Sequence, residues 1–121
     1  MLGYMTLGSN NLDAAGKFYD AIAADLGARR TVDNERMIGW GRKGAAGIMV
    51  CKPYDGKAAT VGNGVMPALA APDRASVDKA YQTALANGAT DEGAPGERMP
   101  TFYGAYFRDP EGNKVCVFHM G

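Results

Sequence analysis

Few residues in this chain offer chemistry, and they are widely separated. Cys116 sits in the alternating run Lys114-Val115-Cys116-Val117-Phe118, so it shares a strand face with Lys114 and Phe118. The only histidine, His119, falls on the opposite face with Val115 and Val117. A nucleophilic cysteine needs a neighbouring base or cation to lower its pKa, and with His119 turned away only an arginine is left for that task. Tyr4 and Thr6 share a face of the run Tyr4-Met5-Thr6-Leu7-Gly8. A phenol there has three open uses: hydrogen bonding to a ligand, proton donation, or contact with a neighbouring strand. Tyr4 and Cys116 are therefore the catalytic candidates. Trp40, the single tryptophan, either stacks on a ligand or packs between structural units. Arg98, Met99, Phe102 and Tyr103 fall in a stretch that reads as a loop, and loops on a rigid scaffold often carry specificity. Arg98 suits a carboxylate or phosphate, or is a solvated charge.

The elements that position these residues follow from periodicity. Tyr4 to Gly8 reads as a strand. Asn11 then caps a helix whose apolar residues, Leu12, Ala15, Tyr19, Ile22 and Leu26, recur at spacings of three and four until Gly27. Strands are expected over Ala28 to Val32, Arg36 to Arg42 and Gly47 to Lys52. A Pro- and Gly-bearing connector covers Pro53 to Gly64. The pattern then restarts: a strand over Val65 to Ala70, made irregular by Pro67, and a helix capped by Asp73 with Val77, Tyr81 and Ala84 on one face, closed by Gly88. A short strand over Ala89 to Glu92, a loop over Gly93 to Phe102 and a final hairpin complete the chain. In the hairpin turn Asp109-Pro110-Glu111-Gly112-Asn113, Pro110 presets the first central position and Gly112 supplies the left-handed one.

The two halves repeat. Tyr4 and Met66, Leu7 and Leu69, Asn11 and Asp73, and Tyr19 and Tyr81 are each 62 positions apart, whereas Gly27 and Gly88 miss by one, so the second helix is expected to be one residue shorter. The fold class is α+β: two βαβββ modules forming a curved mixed sheet around a cup, with helices on the outer face. Residues 1–121 read as a single domain, with module 1 over about 1–53, the connector over about 53–64 and module 2 over about 64–121. Neither half is long enough to cover its own sheet, so each needs the other or a second chain. Cups between modules are usual small-molecule sites.

Lys plus Arg and Asp plus Glu number 13 each, for a formal net charge of zero. No basic block marks a nucleic-acid surface and no apolar run reaches membrane-spanning length, so neither partner is expected. Two distant cysteines, Cys51 and Cys116, make no disulfide framework and read as buried thiols of a reducing cytoplasm.

The opening strand with Asn11-Leu12 and Phe18-Tyr19, the helix start Ala71-Pro72-Asp73, the Asp109-Pro110-Glu111-Gly112-Asn113 hairpin and the internal repeat together resemble the vicinal-oxygen-chelate superfamily. It includes glyoxalase I, extradiol dioxygenases, fosfomycin-resistance enzymes and bleomycin-resistance proteins. The resemblance covers essentially the whole chain and implies a homodimer. In the family's metalloenzymes, His or Glu from four strands hold a divalent metal in the cup. By position those ligands fall at Tyr4, at Met49 or Cys51, at Met66 and at Cys116. None is His, Asp or Glu, so no metal and no other cofactor is expected. Thiol and thioether suit monovalent copper instead, or simply fill an apolar floor.

The expectation is a glyoxalase- or bleomycin-resistance-like protein, without the usual metal ligands, that binds a small organic molecule in its cup. The ligand-binding set is Tyr4, Thr6, Trp40, Met49, Cys51, Met66, Arg98, Phe102, Tyr103 and Cys116. The alternatives are a metal-independent lyase or isomerase, and a dimeric interaction protein without a small ligand.

Overall fold

The computed structural model describes residues 1–121. The elements run β1 (Tyr4–Gly8), α1 (Leu12–Asp25), β2 (Arg29–Asp33), β3 (Met37–Gly41), β4 (Gly47–Cys51), β5 (Ala68–Ala70), α2 (Arg74–Ala86), β6 (Thr90–Met99), β7 (Phe102–Arg108) and β8 (Lys114–Met120). This is the repeated βαβββ pattern. The strands form two four-stranded mixed sheets, ordered β1-β4-β3-β2 and β5-β8-β7-β6. In each, the strand before the helix joins parallel to the last strand of its module, and the remaining pairs are antiparallel. No helix is long and apolar enough to cross a membrane.

The helices begin where the caps place them. The Asn11 side chain accepts from the Ala14 amide at 3.1 Å, and Asp73 accepts from the Ser76 amide at 2.7 Å. Gly27 and Gly88 take the left-handed conformation just past the helices (φ 72° and 100°). The helices span 14 and 13 residues, the expected difference of one.

Each sheet buries one face. In β4, Ile48 and Val50 are buried while Gly47, Met49 and Cys51 stay partly exposed. Val115 and Val117 of β8 and Ala105 and Phe107 of β7 are fully buried. These side chains pack with Phe18, Tyr19 and Ile22 of α1 and Val77, Ala80, Tyr81 and Ala84 of α2 into one continuous core. Phe18 sets its ring edge-on to Phe107 at 6.1 Å, so the first helix packs directly on the second sheet. The modules thus meet through their helix-covered faces. The other face of each sheet, called open here, carries none of this core.

Three strands differ from expectation. β5 is only three residues long, because Pro67 has no amide proton to extend the ladder. β6 runs ten residues through what reads as a loop, and two of its three register shifts on β7 fall around Gly93, Pro95 and Gly96, the third at Arg98. β2 is displaced by one residue and is bulged between Arg30 and Val32.

Candidate functional site

The open face of the first sheet is assembled from β1, β4 and β3. Thr6 lies opposite Met49, Met49 opposite Gly39, and Cys51 opposite Met37. Gly39 is small for a reason: a Cβ there would stand 3.0 Å from Cγ of Met49, which lies across it toward Val32. Tyr4 projects into solvent at 58 % exposure. Tyr4, Thr6, Met49 and Cys51 therefore share a surface, as their strand parity requires.

The open face of the second sheet centres on Cys116, flanked by Ala68 on one side and Tyr106 on the other. Tyr106 did not stand out in the sequence, although counting outward from the hairpin turn sets it opposite Cys116. Phe118 lies opposite Gly104, and a Cβ on Gly104 would stand 2.9 Å from the Phe102 ring. That space lets Phe102 stack flat on Phe118, with ring centres 5.3 Å apart and planes 4° from parallel. Arg98, on β6, turns back over the face with its guanidinium 5.5 Å from the Tyr106 ring centre, and Lys114 stands 5.8 Å from the same ring.

Burial pushes the Cys116 thiol above the ordinary cysteine pKa. The nearby Tyr106 hydroxyl and the charges of Arg98 and Lys114 offset this in part. The direction is opposite to that of an activated nucleophile.

Two candidates lie elsewhere. Trp40 is on the helix-covered face, buried, and donates from Nε1 to Asp20 at 2.8 Å. Arg30 grips the same carboxylate through two bonds of 2.8 and 2.9 Å, and this pairing holds Asp20 below its usual pKa. Trp40 lines a separate apolar cavity of about 230 Å³ between α1, β3, β4 and β5. Tyr103 has the parity opposite to Phe102, and its hydroxyl donates to Asp78 of α2 at 2.6 Å with Arg74 over its ring. Neither residue belongs to an open face. Met66 precedes β5, outside any strand, and is exposed. His119 is on the covered face as expected, with Nδ1 2.9 Å from the Ala71 carbonyl oxygen.

Within one chain the two open faces are not joined into a deep basin. The strands of the two sheets make no extended contact. One small cavity draws on both modules at their junction, lined by Thr6, Gly8, Asn113 and Lys114 together with the connector residue Val61 and with Val65 just after it. Tyr4, Met49, Met66 and Cys116 do not line it. No three His, Cys, Asp or Glu side chains gather into a metal-binding cluster.

No functionally curated protein matches the chain. Among solved structures, it is similar over its whole length to a glyoxalase/bleomycin resistance protein from Albidiferax ferrireducens T118 (36% identity, 99% of that chain, TM-score 0.92). The fold is also shared, over 98% of this chain, with a putative glyoxalase from Bacillus halodurans (19% identity, 94% of that chain, TM-score 0.78). A glyoxalase/bleomycin resistance protein/dioxygenase family enzyme from Burkholderia phytofirmans PsJN has it too (20% identity, 98% of each chain, TM-score 0.77). Residues 4–118 match the family described as the glyoxalase-like domain. With the paired βαβββ modules, these matches make the chain a member of the glyoxalase-like family of the vicinal-oxygen-chelate superfamily.

Proposed function

We propose that the protein binds a small organic molecule between the open face of its first sheet and the open face of the second sheet of another copy, forming a homodimer with two such cups. One observation carries this reading. The positions where metalloenzyme relatives would hold a divalent ion carry Tyr4, Met49 or Cys51 and Cys116 on the open faces and Met66 just before β5, and none is His, Asp or Glu. Divalent ions of this class take oxygen and imidazole donors. Phenol and thioether are poor donors for them, and the two thiols stand on different sheets. A surface of Met, Phe and Tyr with a few polar anchors fits an organic ligand instead. Exposed Tyr4, Val65, Met66, Met99 and Met120 supply apolar area for a second copy to cover.

The test is a thermal-shift screen across aldehydes, thiol conjugates, aromatic drugs and metabolites, with metal content measured on the same sample. A ligand of the native state raises the melting temperature by mass action. At least one organic class is expected to do so with substoichiometric metal. Stoichiometric nickel, zinc, iron or manganese, removed only with loss of binding, overturns the reading.

A further inference from the structure

The open face of the second sheet holds an exposed arginine, Arg98, lying against β6. A Cβ on Gly93 would come within 3.2 Å of Arg98 Nη2, and one on Gly96 within 2.9 Å of Nη1. Any side chain at these positions would crowd the guanidinium, so the two glycines let it lie flat against β6. It is fastened by one bond, from Nη2 to the Ala94 carbonyl, and its plane is supported by the Tyr106 ring. No carboxylate lies within ion-pairing distance. The chain's ion pairs use Arg30, Arg74, Lys79, Arg108 and Lys114, but not Arg98. Lys114, on the other side of Tyr106, reaches Glu92 only at 3.8 Å and shares it with Arg108. Tyr106 thus lies between two cations, of which one has no anionic partner and the other a shared one. The Phe102–Phe118 stack continues the same face with apolar aromatic surface.

We infer that the cup selects ligands that join a planar apolar body to an anionic group, a carboxylate or a phosphate, with Arg98 as the anchor of the anion. The inference rests on the cup reading above and adds the ligand's charge to it. Arg98 keeps unused N–H donors in the fork geometry that both anions match. The aromatic floor takes the apolar body.

The test titrates isotope-labelled protein with 1-naphthoate, 1-naphthyl phosphate and the neutral 1-naphthamide, following amide resonances. Both anions are expected to perturb residues of β6, β7 and β8 and to bind at least about tenfold more tightly than the amide, as a charge-assisted bond implies. High salt and Arg98→Gln should each abolish that margin without weakening the amide. Gly96→Ala, which moves the guanidinium without removing its charge, should reduce the margin in part. If the amide binds as well as the anions, and Arg98→Gln changes nothing, the charge selectivity is wrong while the cup reading stands. If none of the three perturbs the open faces, the inference falls, and the cup reading is decided by the thermal-shift screen.

Discussion

The Tyr19 hydroxyl donates to Oδ2 of Asp109 at 2.6 Å, tying the first helix to the turn that opens the last strand. Asp109 is buried and also accepts from the Glu111 and Asn113 amides and from Asn113 Nδ2. Asn113 in turn donates to the Gly8 carbonyl at the end of β1. A buried carboxylate with this many donors locks the two modules at one junction. Tyr19→Phe leaves it short of a donor and should cost about 1–3 kcal/mol in urea unfolding. Burial first, and then Asp109, push the Tyr19 pKa well above 10.0. The unfolded chain therefore loses this proton before the folded one does. The stabilisation is full below the ordinary tyrosine range and is lost as pH rises through it toward the folded value. Tyr19→Phe should accordingly flatten the alkaline limb of the stability profile. An unchanged alkaline limb would mean that the hydroxyl contributes nothing.

Glu111 should matter nearly as much. Its Oε1 accepts from the Ser9 hydroxyl at 2.8 Å and from the Asn10 and Asn11 amides at 2.9 and 3.1 Å. A residue of the second module thus satisfies backbone donors at the head of the first helix, where negative charge is also favoured. Glu111→Ala should destabilise by about 1–2 kcal/mol, and Glu111→Gln should recover part of it. Chemical denaturation followed by circular dichroism measures both.

The two thiols should differ in reactivity. Cys51 is half-buried on the first open face, whereas Cys116 is almost fully buried with its pKa raised. Iodoacetamide at neutral pH should give a single adduct at Cys51, located by peptide mass analysis. Cys116 should follow only as pH rises or the chain unfolds. Rapid Cys116 labelling at neutral pH would revive a nucleophilic role for it.

Association should depend on the open faces. Tyr4→Asp places an unpaired charge on the surface proposed to meet the partner, and the cost of desolvating that charge should shift dimer to monomer in sedimentation velocity. Wild-type chain that stays monomeric at micromolar concentrations would refute the shared cup.

Much of the scaffold is legible in the sequence because local signals decide it. Asn11, Asp73, Gly27 and Gly88 set the helix ends by capping chemistry, and the hairpin from Arg108 to Lys114 follows from Pro110 and Gly112 (φ 94°). Strand parity correctly separates His119 from Cys116 and groups Tyr4 with Thr6 and Met49 with Cys51. The misses arise where partners distant in sequence decide. Trp40 is held by Asp20 and Arg30, and Tyr103 by Asp78, and none of these pairings is visible along the chain. Glycine and proline in 90–99 read as loop signals. There they mark bulges in a paired strand and leave room for Arg98, a use that appears only once the side chain is in place.

Two of the four edge strands, β2 and β6, limit how further molecules can add to the sheets. β2 and β6 are both bulged, and they carry Arg29, Arg30, Asp33, Asp91, Glu92 and Glu97. Such rims are poor templates for strand addition by a further molecule. Edge-on addition of another strand at β2 or β6 is thereby discouraged.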